Sequence, residues 1–158
     1  MEYFIRPIGS TDNAAIEKII RDCLIEFGGD HEGTAWADPD LGRFSEVYSN
    51  PRSAYFVAVS YDGAVLGGAG IGPMEQEGLC ELQKMYLSPA YRGKGIAQAL
   101  LNAALSFATD YYTACYLETL PSMVGAQRFY EKNGFARTDS PIGNTGHFEC
   151  DVRYIKKL

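Results

Sequence analysis

A glycine-marked loop at residues 92–97, with the sequence Arg-Gly-Lys-Gly-Ile-Ala, most restricts what this chain can fold into. It follows an alternating strand pattern at residues 79–87 and opens a helix pattern with apolar residues at helical spacing. A strand that runs straight into a helix leaves several backbone N–H groups unpaired, and the helix dipole adds partial positive charge there. The segment therefore predicts an anion site between a strand and a helix.

The composition of this loop fits an anion cradle. Gly93 and Gly95 lack the Cβ atoms that would hold a phosphate away from the backbone, and Arg92 and Lys94 add positive charge. A dinucleotide-binding loop would need glycine or alanine where Gln98 stands, and a P-loop has a different glycine spacing. Neither of those motifs fits. The alternative to an anion site is an ordinary glycine-rich turn whose basic side chains are solvated.

The rest of the chain predicts a single α/β domain over residues 1–158, with a mixed sheet covered by helices on both faces. Asp62-Gly63 suits a tight hairpin turn, Gly28-Gly29 ends the first helix, and Ser122 is expected to cap the last helix. The first predicted elements in chain order are a strand at 3–6, a helix that ends at 27, a short helix at 41–48, and strands at 54–60, 65–71 and 79–87. They are followed by a helix that begins at 96, a strand at 114–119, a helix that ends at 130, and strands at 135–137 and 148–155.

Charge and cysteine content exclude several classes of protein. The 158 residues carry a net charge of -6, which disfavours binding to nucleic acid. The four cysteines form no C-x-x-C pair, so we expect buried reduced thiols, with no metal. No apolar run approaches the ~18 residues that cross a bilayer, and the first residues lack a signal-peptide pattern. We therefore expect a cytoplasmic protein that does not bind membranes.

Residues 92–97 resemble the signature Arg/Gln-x-x-Gly-x-Gly/Ala of the GNAT acetyltransferase superfamily at every position. Residues 81–91 look like the fourth strand of that family, and residues 126–135 look like its second signature helix. The two signatures occur in the family's order and distance, and the likeness covers residues ~54 to 137.

This resemblance implies a GNAT-like fold of six or seven strands, splayed between the fourth and fifth, with acetyl-CoA as co-substrate in the opening. The backbone of Met85, Tyr86 and Leu87 would pair with the pantetheine arm. The loop amides would hold the pyrophosphate; these belong to Arg92, Gly93, Lys94, Gly95, Ile96 and Ala97. One departure is Met123, which stands where many members carry an asparagine that contacts pantetheine.

The implied reaction is direct acetyl transfer to a primary amine. At about pH 7, deprotonating an amine of pKa near 10.4 costs on the order of 4–5 kcal/mol, so a base or water chain helps. By resemblance, Tyr130 would protonate the leaving sulfur and Glu81 would act as base. Strand alternation predicts Glu81, Gln83 and Met85 on one face, and Glu118 is an alternative base.

The acceptor is the least determined part of the function. The acidic segment 26–46, which contains Trp36, is where the family usually builds its acceptor pocket. Carboxylates with an aromatic residue suit a cationic amine, such as a polyamine, an amino sugar, an amino acid, a lysine side chain or an N-terminal amine. His147 and Cys150 lie three residues apart, which is too few ligands for zinc, although that loop could contact substrate.

Two other functions and an oligomer remain open. A non-catalytic acyl-CoA-binding sensor would share the cofactor site, and a nucleotide-binding module would share the phosphate loop. A homodimer is possible because the final strand, with Val152, Tyr154 and Ile155, could pair across a two-fold axis.

Overall fold

A computed structural model describes residues 2–143 and 149–158. Within this part of the chain seven strands form one mixed sheet, which confirms the predicted fold class. The strands are β1 (Tyr3–Pro7), β2 (Ala54–Ser60), β3 (Val65–Pro73), β4 (Leu79–Leu87), β5 (Ala114–Thr119), β6 (Ala136–Thr138) and β7 (Val152–Lys157). Their order is β1-β2-β3-β4-β5-β7-β6; β4 and β5 run parallel, and the other neighbours are antiparallel.

Helices cover both faces of this sheet, as the sequence predicts. Helices α1 (Asn13–Glu26) and α2 (Phe44–Val47) bury their apolar residues against one face, and α3 (Ile96–Thr109) packs on the other. Helix α4 (Val124–Lys132) adds Tyr130 to the α3 side. The burial of one stripe of each long helix explains the spacing of their apolar residues. Among the described helices, none has the length and apolar content to cross a bilayer.

Two predicted details at the ends of elements are wrong. The Ser122 hydroxyl does not cap α4, because it donates to the Phe27 carbonyl oxygen at 2.7 Å and so joins α4 to the end of α1. The last strand begins at Val152, since residues 149–151 are not in a strand; residue 148, the predicted start, lies outside the described residues.

The final strand is not a free edge. β7 pairs with β5 on one side and with β6 on the other, and Tyr154 on it is fully buried. The prediction of two-fold pairing through this strand is therefore wrong, because β6 already occupies its outer side. Strand β6 has only three residues, so the sequence carries no local signal that β6 lies outside β7 in the sheet.

The sheet opens between its two parallel strands. Residues Leu79, Cys80 and Glu81 of β4 pair with Ala114, Cys115 and Tyr116 of β5, and the pairing stops there. Beyond Glu81 the two strands separate, which confirms the expected splay. Their unpaired halves form the walls of a cleft.

Candidate active site

Two adjoining cavities extend along this cleft. Strands β4 and β5 both line the smaller one, whereas the larger one is lined by β4, α1, the 92–97 loop, α3 and α4. The larger, of about 340 Å³, lies beside the 92–97 loop and α4, and its size suits a small-molecule ligand. The smaller, of about 70 Å³, lies on the side of Glu81 and Glu118. Five residues line both cavities, namely Met85, Tyr86, Met123, Ala126 and Tyr130. The cleft therefore has a loop end and a carboxylate end that meet at Tyr130.

A bulge in β4 divides these two ends. Gly70 pairs with Gln83 and Gly68 with Tyr86, so β4 has one extra residue there, and Lys84 has a φ of 51°. The bulge turns Met85 to the α3 face, where it packs against that core, while Tyr86 packs against the α1 side. The prediction that Met85 shares a face with Glu81 and Gln83 is therefore wrong, because strict alternation ends at Lys84.

The 92–97 loop has the backbone expected of an anion cradle. Gly93 and Gly95 have φ angles of 74° and 83°, and a Cβ on either would project into open space. The Ala99 N–H donates to the Gly95 carbonyl oxygen at 3.2 Å at the start of α3. Because a helix leaves its first amides without internal acceptors, those of Ile96 and Ala97 are available to a ligand.

Arg92 does more than add charge to this loop. Its guanidinium forms a bidentate ion pair with Glu26 of α1, at 2.7 and 2.9 Å, and its Nε donates to the Leu87 carbonyl oxygen at 3.2 Å. It also lies over the Phe27 ring, 5.4 Å from the centroid. Arg92 therefore ties the loop to α1 and β4, with its charge offset by Glu26. Lys94 is exposed, 5.9 Å from the centroid of the Tyr91 ring.

Tyr130 stands where the two cavities meet. Its ring packs on Phe129 and Phe135 at interplanar angles of 61° and 65°, with centroids 5.7 and 5.8 Å away, and against Tyr154. Burial raises the pKa of its phenol, so the hydroxyl is protonated at neutral pH. A buried, protonated phenol lining both cavities is placed to donate a hydrogen bond to a group bound there.

The carboxylate end carries two acidic side chains on facing strands. Glu81 on β4 accepts a hydrogen bond from Gln83 Nε2 at 2.7 Å, and Glu118 on β5 accepts one from the Tyr116 hydroxyl at 2.7 Å. Both line the smaller cavity, and their roles as base and alternative base stay predictions. Gln83 Oε1 in turn accepts from Tyr48 at 2.8 Å.

Two residues of the acidic segment 26–46 lie at the carboxylate end of the cleft. Ala35 lines the smaller cavity, and Asp38 pairs with Lys84 Nζ at 2.7 Å, with side chains only 27% and 14% exposed. Trp36 instead lies under Arg21, whose guanidinium is 4.8 Å from the ring centroid. The aromatic residue considered for the acceptor therefore packs against α1.

Sequence reasoning missed Lys84 and Tyr48. A left-handed bulge lysine and a tyrosine 35 residues from Gln83 leave no local pattern, since both contacts depend on tertiary packing.

Met123, at the start of α4, lines both cavities and receives a hydrogen bond from Thr119 Oγ1 to its sulfur at 3.4 Å.

The remaining candidate ligands do not form a metal site in the part of the chain described. His147 lies outside it, and residues 2–143 and 149–158 contain no group of three His, Cys, Asp or Glu side chains placed to hold a metal ion. Cys150 lines the smaller cavity, and burial raises the pKa of its thiol to about 12. Cys23, Cys80 and Cys115 are buried free thiols, as predicted, whereas Cys150 is a free thiol that is only partly buried.

Comparisons with known proteins match this architecture. A family model described as the acetyltransferase (GNAT) family covers residues 14–135. The uncharacterized N-acetyltransferase YjgM of Escherichia coli is 42% identical, over 98% of this chain and 94% of its own length. A GNAT-family acetyltransferase from Staphylococcus aureus has a TM-score of 0.88 at 21% identity, covering 99% of both chains. PaiA N-acetyltransferase from Thermoplasma acidophilum, solved with coenzyme A, has a TM-score of 0.75 at 21% identity and covers 100% of both.

Proposed function

This chain belongs to the GNAT acetyltransferase family and is an N-acetyltransferase, and from that premise we propose that it transfers acetyl directly from acetyl-CoA to a primary amine bound in the β4–β5 cleft. The observation that carries this proposal is the splay after Glu81, which joins an anion cradle to a carboxylate-lined cavity through Tyr130.

The larger cavity fits the co-substrate. The amides of Gly93 to Ala97 would hold the pyrophosphate, and the open space at Gly93 and Gly95 leaves room for phosphate oxygens. The backbone of Met85 to Leu87 has no partner strand on the β5 side and would hydrogen-bond the pantetheine arm there. When bound, acetyl-CoA supplies the activated thioester at the point where the two cavities meet.

The reaction forms a C–N bond and breaks a C–S bond. Glu81 would accept the proton of the attacking amine through water, and Tyr130 would donate its proton, or a hydrogen bond, to the departing sulfur. Glu118 remains the alternative base, since it lines the same cavity.

The acceptor we propose is a cationic amine. Glu81 and Glu118 face the smaller cavity, and the charge of Lys84 is balanced by Asp38, so this end carries net negative charge. An ammonium group is favoured in such surroundings over a carboxylate-rich acceptor. Polyamines, amino sugars, amino acids and lysine or N-terminal peptide amines all carry one.

The test is to incubate the purified protein with acetyl-CoA and a panel of these amines, and to identify acetylated products by mass spectrometry. We expect an N-acetylated product from one class of cationic amine. Binding of acetyl-CoA without a product from any amine would contradict the proposed transfer and favour a cofactor-sensing role.

A further inference from the structure

Three polar side chains form a continuous row behind the carboxylate end of the cleft. The Tyr48 hydroxyl donates to Gln83 Oε1 at 2.8 Å, and Gln83 Nε2 donates to Glu81 Oε1 at 2.7 Å. Tyr48 follows α2, whereas Gln83 and Glu81 lie two residues apart on β4. The row therefore joins the acceptor-side wall to a distant part of the fold.

The chemistry of the row permits one orientation of the Gln83 amide. A carboxylate only accepts hydrogen bonds, so the NH₂ group must face Glu81. The amide oxygen then faces Tyr48, whose burial and acidic neighbours raise its pKa, so the hydroxyl is present to donate. All three groups are satisfied together when Glu81 is ionised.

The packing around the row fixes it in place. The Tyr48 ring contacts Phe44 and Tyr55, with centroids 5.3 and 5.2 Å away. A Cβ on Gly70 would lie 2.9 Å from the Tyr48 ring, and one on Gly72 would lie 2.7 Å from Gln83 Oε1. Two glycines of β3 therefore make the space that Tyr48 and Gln83 occupy.

From this geometry we propose that Gln83 and Tyr48 are positioning residues that orient the Glu81 carboxylate toward the cleft and favour its ionised form. The proposal deepens the proposed function, since it rests on Glu81 acting as the base. Gln83 holds the carboxylate directly, and Tyr48 holds Gln83 in the orientation that donates.

Other charges around Glu81 act in both directions. Tyr116 and Cys115 lie on β5, where Tyr116 is the register partner of Glu81, and both are protonated at neutral pH because their pKa values are raised. Two further carboxylates favour protonation of Glu81, and one lysine opposes it; these are Glu118, Asp38 and Lys84. Cys150, also neutral, completes the wall. The hydrogen bond from Gln83 favours the ionised carboxylate, as the charge of Lys84 does.

The direct test is to titrate the side-chain carboxyl carbon of Glu81 by NMR in isotope-labelled full-length protein, with Glu81→Gln assigning the signal. We expect Gln83→Leu to raise the pKa of Glu81 by about one pH unit, because a donor to the ionised form is lost. Tyr48→Phe should raise it by about half as much, since the amide remains but is free to turn.

The matched control is Tyr112→Phe, which removes another largely buried tyrosine hydroxyl, one that donates to the Arg52 carbonyl oxygen at 2.7 Å away from the cleft. It should leave the pKa of Glu81 unchanged. An unchanged pKa in folded Gln83→Leu and Tyr48→Phe proteins would overturn the proposal; if Gln83→Leu does not fold, Tyr48→Phe alone decides.

A kinetic comparison separates this proposal from the role of Glu81. With an amine found by the acceptor panel, the acidic limb of the kcat/KM profile should move upward in pH together with the NMR value. If the NMR value moves and the limb does not, the positioning of Glu81 is supported and its assignment as base is contradicted.

Discussion

The two ends of the cleft are built from different parts of the polypeptide. The loop end presents backbone amides from five consecutive residues, 93–97, and its two glycines have positive φ. The carboxylate end uses side chains from β4, β5 and the segment after α1, including Glu81, Glu118 and the Lys84–Asp38 pair. The difference teaches that an anion cradle can be built from a local backbone motif, whereas the carboxylate end is assembled from side chains that are distant in the chain.

Tyr130 joins the two ends, so its removal should have the largest effect. We expect Tyr130→Phe to lower kcat by about 100- to 1000-fold, because the leaving sulfur loses its proton donor, with little change in the Kd of acetyl-CoA. Tyr154→Phe is the control, since that hydroxyl donates to Glu131 and takes no part in the cleft. Calorimetric binding and initial rates measure the two effects; equal losses in both variants would remove Tyr130 from the mechanism.

A substitution of Glu81 tests the carboxylate end of the cleft without changing the loop end. We expect Glu81→Gln to lower kcat/KM for the amine by about 100-fold at about pH 7, and by less as the pH approaches the pKa of the amine. The reason is that a free amine no longer needs a base. Glu118→Gln provides the comparison, and a larger effect there would make Glu118 the base.

A substitution of Gly95 tests the loop end of the cleft without changing the carboxylate end. Gly95→Ala places a side chain at a φ of 83°, which costs about 1–2 kcal/mol of backbone strain and disturbs the cradle. We expect the Kd of acetyl-CoA to rise about 10-fold. Gly63→Ala, at a φ of 95° in the β2–β3 turn, should lose similar stability in thermal unfolding with no change in Kd. Equal affinities of the two variants would show that the loop does not hold the phosphates.

The Arg92–Glu26 ion pair gives the smallest expected effect. Its side chains are 36% and 38% exposed, so breaking it should change the free energy of unfolding by less than about 1 kcal/mol. Glu26→Gln removes a negative charge beside the loop, and we expect acetyl-CoA to bind about 2- to 3-fold more tightly at low salt and unchanged at high salt. Asp22→Asn, on the same helix and paired with Lys18, should have no such effect.

The sequence was most informative where contacts are local. The strand, loop and helix around 92–97 follow from residue spacing and glycine chemistry, and the structure has them at the predicted places. The bulge at Lys84 was not predicted, because it depends on how β4 pairs with the glycines of β3. The position of β7 inside the sheet likewise depends on pairing with β6, which a strand pattern does not encode.

The contacts of the carboxylate end were likewise not predicted, because they join residues that are distant in the chain. Glu81 was a candidate because of its place in a family-like strand, but the row through Gln83 to Tyr48 spans 35 residues and depends on the pairing of β3 with β4. Asp38 meets Lys84 across a similar distance in the chain. Side-chain sites assembled from several elements therefore need the structure before their chemistry can be described.

We propose above all that the cleft holds acetyl-CoA with its phosphates on the loop amides and its reactive end near Tyr130. The most direct measurement is a titration of isotope-labelled protein with coenzyme A, followed by amide chemical-shift changes in NMR spectra. The account predicts the largest changes at Gly93 to Ala97 and at Met85 to Leu87. Changes concentrated elsewhere, with these amides unmoved, would contradict it.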